Sequence, residues 1–218
     1  MIYNINLPQP NQALLDYMFE FSNSVYSKGL PKRTQEESDR IFPLYPGKNI
    51  CSNPYTMNLV LSNLFYKQYR SFFSTKTTPI VIAHVNINPS TPAEIMPHTD
   101  SQRRVAFNFI ADPGGSNVKN QMYYNYYDQE DISLVDTIQF SHEESKLEGV
   151  YTLEHNHWYG LNVRYSHGVT NIETKRLLLG ISIFEGIDSL MKTHPHLFGE
   201  RLVSELVPAE GIEPSQER

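Results

Sequence analysis

Pro97-His98-Thr99-Asp100 sets an imidazole and a carboxylate two residues apart. On an extended strand that spacing turns both side chains to one face, where they converge on a common point. An imidazole nitrogen and a carboxylate oxygen are two of the three ligands of a 2-His-1-carboxylate facial set. Such a set holds a divalent metal and leaves three positions open for other ligands. With eight histidines in 218 residues, chance supplies a His-x-Asp roughly 0.3 times, so the pair gains meaning only from its context.

The elements around it are short and strand-like. Ile80–Val85, Val105–Ile110, Met122–Tyr127, Leu134–Phe140, Tyr151–Leu153, Trp158–Arg164 and Leu177–Phe184 are apolar or alternating runs. Turn-rich stretches such as Asn88-Pro89-Ser90 and Asp112-Pro113-Gly114-Gly115 separate them. This spacing predicts an antiparallel sandwich or barrel rather than alternating strand–helix units. Ahead of the strands, residues 11–28 read as an amphipathic helix carrying Leu14, Leu15, Met18, Phe19 and Val25, with Gly29 as its stop. A second helix is expected over about 54–74, with a stripe of Leu59, Val60, Leu64, Phe65 and Phe72. Between them, the proline-punctuated stretch 30–53 reads as a surface excursion. A last helical segment is expected at 187–206, broken near Pro195, and the polar tail 207–218 as disordered. The whole is one domain over 1–206, with helical support at 11–74 and a β core at 80–184.

Composition narrows the classes of partner. The net charge is −6, and a duplex-binding surface normally needs an excess of Lys and Arg, so nucleic acid is not expected. A single cysteine, Cys51, excludes a disulfide framework and argues against a cysteine-based zinc site. The first residues lack the basic flank and apolar run of a secretory signal, and no apolar stretch reaches the length that spans a bilayer. A cytoplasmic protein is the resulting expectation.

Downstream, Trp158 to Asn171 contains Tyr165-Ser166-His167-Gly168-Val169-Thr170-Asn171 and leads into Lys175-Arg176-Leu177-Leu178-Leu179-Gly180-Ile181. In this ordered set, the chain resembles the iron(II)- and 2-oxoglutarate-dependent oxygenases, particularly their prolyl and aspartyl/asparaginyl hydroxylase-like branches. Those families carry a His-x-Asp near the start of a double-stranded β-helix. Much later comes a His followed by a small residue and Val, and about nine residues on an Arg opens the next strand. Here Arg176 follows His167 by nine residues, and the resemblance spans about Ile80 to Phe184. It implies a mainly β fold with flanking helices, a jelly-roll or cupin-like barrel.

The resemblance also implies roles. His98, Asp100 and His167 would be the iron ligands, with no catalytic side chain beyond the metal centre. Arg176 would pair with the distal carboxylate of 2-oxoglutarate, a task suited to a planar guanidinium. Lys175 competes for that role, and alternation on a strand lets only one of the two point inward. Asn108, a polar residue on an apolar strand, is a second candidate for the cosubstrate pocket, beside the simpler reading of a backbone-satisfied amide. Arg103 or Arg104 could contact the cosubstrate or an acidic substrate, beside the simpler reading of surface charges near a turn. Asn86 and Asn88 could line the barrel or shape a turn, and one tyrosine of the run Tyr123–Tyr127 could face the pocket.

His155 and His157 form a competing His-x-His pair with Arg164 nine beyond His155, but they fall before the Trp158 strand and lack the residues that follow His167. His194 and His196 read as surface residues, and His84 and His142 carry no matching spacing. The implied activity is hydroxylation of a C–H bond of an amino-acid side chain, free or in a peptide, using O2. A barrel serving only as a binding module, and a cupin-like metalloenzyme without 2-oxoglutarate, are the alternatives. A homodimer through the terminal segment is compatible with the sequence.

Overall fold

The computed structural model describes residues 2–27, 43–86, 88–100, 103–126, 138–139, 141 and 145–205. Two helices precede the main strands. The first, α1 (Gln12–Ser27), starts where the Asn11 side chain accepts from the Leu14 N–H at 3.1 Å, capping a free helix donor. The second, α2 (Leu59–Tyr69), is capped in the same way by Asn58, whose Oδ1 accepts from Leu61 N–H at 2.9 Å.

That cap sets the phase of α2. Leu61, Phe65 and Tyr69 recur every four residues and are buried, whereas Leu59 and Val60 are exposed. The expected stripe holds at Leu64, Phe65 and Phe72, which pack on the outer core, and fails at Leu59 and Val60. The helix is also shorter than 54–74, because Tyr55–Thr56 pairs as a strand instead.

The strands are β1 (Ile2–Ile5), β2 (Tyr55–Thr56), β3 (Thr77–His84), β4 (Ala93–Thr99), β5 (Val105–Asp112) and β6 (Lys119–Tyr126). They continue as β7 (Ile138–Gln139), β8 (Leu147–Tyr151), β9 (Trp158–Asn162), β10 (Tyr165–Ile172), β11 (Arg176–Ile183) and β12 (Phe198–Arg201). They form two antiparallel sheets, ordered β12-β1-β9-β5-β11-β3-β2 and β7-β4-β10-β6-β8. The chain passes from β3 in the larger sheet to β4 in the smaller, back to β5 and over to β6. After β8 it returns to β9, crosses to β10 and ends the circuit at β11. This repeated crossing is the jelly roll, and it matches the expected fold.

Each face of the larger sheet has its own core. On β11, Leu177, Leu179, Ile181 and Ile183 point outward and pack with Phe107, Phe109, Leu14, Met18, Leu61 and Phe65 under the helices. Full burial of each such side chain stabilises by about 1.5–3 kcal/mol, more than the helix propensity of a few residues can supply. The alternate residue Leu178 faces the other sheet, with Ile82, Ala106, Ile110, Met122, Tyr159 and Leu161. The buried polar ends of the outer core are satisfied: Tyr69 Oη and Trp158 Nε1 both donate to Pro8 O, at 2.9 and 3.0 Å.

Three expectations need correction. The segment from 187 is helical only in α3 (Ile187–Thr193). A short 3-10 turn, Pro195–Leu197, follows, and the chain then extends as β12 against β1, since proline cannot continue an α-helix and edge pairing is available. The stretch before β2 is not wholly surface: Tyr45, Ile50 and Cys51 are buried, and Cys51 N bonds to Glu94 O at 3.0 Å. The strand expected at Tyr151–Leu153 instead ends at Tyr151. Residues 28–42, most of Leu134–Phe140, Tyr127, His142 and the tail beyond 205 lie outside the described residues. Among the described residues, no helix is long and apolar enough to cross a membrane.

Candidate metal centre

His98 and His167 lie on neighbouring strands of the smaller sheet, opposite one another in the β4–β10 ladder. Asp100 follows just beyond the end of β4, where its backbone N–H bonds to Val163 O at 3.1 Å. One ligand atom from each of the three lies within 4.8 Å of the others. His98 Nε2 stands 3.8 Å from Asp100 Oδ1, and His167 Nε2 stands 3.9 Å from Asp100 Oδ2. Among the described residues, no other group of three or more His, Cys, Asp or Glu meets that geometry.

Hydrogen bonding fixes which nitrogen each imidazole offers. His98 Nδ1 is 2.7 Å from Met96 O and His167 Nδ1 is 3.1 Å from Tyr165 O. A carbonyl only accepts, so each Nδ1 carries the proton and each Nε2 turns a lone pair toward Asp100. Burial, with His98 beside it, pushes His167 down to about 4, which keeps it neutral at physiological pH. At Asp100 burial opposes the charge, but Arg103 and the two imidazoles outweigh it and hold the carboxyl well below its usual range. Two imidazole nitrogens and one carboxylate are the donor set a divalent first-row metal takes. The residues fit such an ion.

Arg103, expected as a surface charge, is part of this site. Its Nε donates to Asp100 Oδ2 at 2.7 Å. Its other end runs along the barrel wall, so that a Cβ built on Gly180 would sit 3.5 Å from Arg103 Nη1 and 3.3 Å from Asn108 Oδ1. Both of those atoms are buried without a hydrogen-bond partner. Asn108 therefore faces the interior, and a backbone-satisfied carbonyl oxygen is not what it has.

Arg176 opens β11 and turns inward, as Lys175 does not. Lys175 lies on the outer side, with its ammonium 5.9 Å from the Phe19 ring and 5.6 Å from that of Tyr26. The Arg176 guanidinium is buried and reaches across to the smaller sheet, donating to Asn120 Oδ1 at 2.9 Å and to Pro113 O at 3.2 Å. Asn120 pairs with Val169, two residues along β10 from His167. Neither hydrogen-bond partner is charged, and Nε has none. Burial pushes Arg176 down to about 10, so the group stays cationic at neutral pH. Asp112 lies near enough to favour the cation, but both hydrogen bonds go to neutral acceptors, so an anionic ligand would supply the charged partner they do not.

The remaining candidates separate clearly. His155 and His157 are exposed on the connection before β9, away from the triad. Asn86 ties loops together through Asn49, Ile172 O and Glu173 O, and Asn88 closes a turn onto Ser90. Tyr124 is exposed beneath Lys146, while Tyr123 Oη donates to Gln121 Oε1. His194 is buried rather than on the surface, with Nε2 2.9 Å from Ser74 Oγ. Sequence reasoning passed over His84 and Asn120. His84 gave a signal of the same kind as Asn108, a polar side chain closing the apolar run Ile80-Val81-Ile82-Ala83. Asn120 sits among polar neighbours and gave none.

A jelly roll of two antiparallel sheets, with a His-Asp-His cluster on the smaller one, is the class of architecture present. No protein-family model matches the chain, and no curated protein matches it. Among solved structures it is similar to an oxidoreductase of the 2OG-Fe(II) oxygenase family from Burkholderia pseudomallei, at 9% identity over 76% of this chain and 88% of that one, with a TM-score of 0.34. A cupin superfamily protein from Desulfitobacterium hafniense is similar at 7% identity over 71% and 94%, with a TM-score of 0.29. The vicilin of Solanum melongena is similar at 9% identity over 64% and 29%, with a TM-score of 0.32.

Proposed function

We propose that this chain is an iron(II)- and 2-oxoglutarate-dependent oxygenase that hydroxylates a C–H bond of an amino-acid side chain, free or within a peptide. One observation carries the reading: the metal-ligand cluster and a buried guanidinium without a charged hydrogen-bond partner share one barrel interior. A metal site alone serves many chemistries, but a cation bonded to Asn120, whose ladder partner Val169 lies two residues from His167, calls for an anionic ligand that spans from one to the other. A 2-oxo diacid has that shape, with a chelating 2-oxo acid at one end and a carboxylate at the other.

Bound iron would couple decarboxylation of 2-oxoglutarate by O2, giving succinate and CO2, to insertion of one oxygen atom into the substrate C–H bond. The protein's own part is positioning. His98 and His167 present Nε2 because their Nδ1–H groups are held by backbone carbonyls, and Arg103 steadies Asp100. The apolar layer of Ile82, Ile110, Met122 and Leu178 keeps water from the space between the sheets.

The test is succinate formation by the iron-loaded protein with a panel of amino acids and peptides, with Asp100→Ala as control. Oxygen-dependent succinate that requires Asp100 is the expected result. Turnover of a substrate without 2-oxoglutarate would favour the cupin-like alternative, and absence of metal-dependent 2-oxoglutarate binding would leave a binding module.

A further inference from the structure

His84 closes β3 directly opposite Arg176 in the β3–β11 ladder. Residues facing each other across an antiparallel pair share a face, so the imidazole projects into the same interior as the guanidinium. It is buried, at 6% relative exposure, and its Nδ1 has no hydrogen-bond partner. Burial keeps the ring neutral, and the Arg176 cation and His98 lie close enough to act in the same direction. His84 is thus near both Arg176, its partner across the ladder, and the ligand candidate His98. Two polar atoms on facing strands, Arg176 Nε and His84 Nδ1, are open there. A buried polar group left without a partner destabilises by about 1–3 kcal/mol, and two in one place mark a missing ligand rather than two separate packing faults.

We infer that His84 is a binding residue for the distal carboxylate of the cosubstrate, gripping it from β3 while Arg176 grips it from β11. This rests on the 2-oxoglutarate reading and adds a residue to it. A neutral imidazole with its proton on Nδ1 donates one hydrogen bond, and Arg176 Nε–H donates another, so the two carboxylate oxygens are met from both strands. The chemistry required of the ligand is a carboxylate at the end remote from the metal.

The experiment compares 2-oxoglutarate with 2-oxobutyrate, which has the same metal-binding end but no distal carboxylate, on protein loaded with Mn(II) in the absence of turnover. The wild type is expected to prefer 2-oxoglutarate. His84→Phe, similar in volume without a donor, is expected to weaken 2-oxoglutarate about tenfold and leave 2-oxobutyrate and metal affinity unchanged. His84→Asn, which restores a donor, should recover part of the loss. Equal effects on both acids, or none on 2-oxoglutarate, would overturn the assignment while leaving the cosubstrate reading intact. A wild type without preference between the acids would remove both. Should the variants fold poorly, 15N-histidine spectra of the Zn(II)-loaded wild type decide: 2-oxoglutarate, and not 2-oxobutyrate, must shift the His84 Nδ1 resonance.

Discussion

His98 and His167 face each other across the β4–β10 ladder with their ring centroids 4.4 Å apart. Strand register, and not a loop, sets their separation, and a slip of one residue would turn one of them to the opposite face. The pair is as rigid as the sheet that carries it, and Asp100 is added from the first residue past β4.

Loss of a ligand should abolish tight metal binding, and loss of the competing histidine should not. His167→Ala and Asp100→Ala are expected to weaken Co(II) or Mn(II) binding by a hundredfold or more, while His155→Ala leaves it unchanged. Titration calorimetry on the three variants reads this directly. An effect of His155→Ala equal to that of His167→Ala would move the metal elsewhere.

Arg103 acts on the metal through Asp100. Because its Nε occupies Oδ2 at 2.7 Å, replacement by Met frees the carboxylate to rotate. Metal affinity should fall about 10- to 100-fold, the range typical when an outer hydrogen-bond partner of a ligand is lost. The d–d spectrum of bound Co(II) should change with it. An unchanged spectrum and affinity would reduce Arg103 to a bystander.

Arg176→Met should separate stability from binding. The variant removes a buried cation whose hydrogen-bond partners are neutral, so the ligand-free protein is expected to melt at or above the wild-type temperature. Metal affinity should persist and 2-oxoglutarate affinity should be lost. A large fall in Tm would mean that the guanidinium is a structural brace.

The metal-free protein should weaken in mild acid. His167 has its folded pKa near 4, below the value of about 6.5 for a free histidine, so between these limits the unfolded chain binds a proton that the native state refuses. Stability therefore rises with pH through that window and is lost as pH falls, by up to about 3 kcal/mol. His84 acts in the same direction. Asp100 adds a further loss only at lower pH, where its depressed pKa is approached. Denaturant melts at pH 7, 5.5 and 4.5 measure the slope, and a flat profile would contradict the buried neutral histidines.

Gly168 lies beside His167 where β10 approaches β4 closely. A Cβ there would sit 2.9 Å from Ile95 O, a backbone atom that cannot swing aside. Gly168→Ala should destabilise by about 1–3 kcal/mol and weaken metal binding by spreading the two strands. A neutral effect in both assays would show that the ladder yields.

The sequence carried the strand period, and hence the jelly roll, because alternation of apolar residues is a local property. His98 and Asp100 were legible for the same reason, and His167 and Arg176 through their order and spacing. What was not legible depended on contacts between distant segments. Arg103 is the exception, a local contact three residues from Asp100, which a charge beside a turn does not announce. His84 has no meaning until β11 lies beside it. The shift of the α2 stripe followed from the cap at Asn58, which a periodicity count does not weigh, and β12 was hidden because pairing with β1 spans nearly the whole chain.

That last pairing bears on how the molecule comes together. Residues 2–5 lie between β9 and β12, bonded to 159–161 on one side and to 198 and 201 on the other. Both neighbours lie more than 150 residues further along the chain. Closing so long a loop is slow, so β1 is expected to dock late in the assembly of the large sheet. Until then the flank of β9 stays open and offers other chains the same strand edge that β1 later covers.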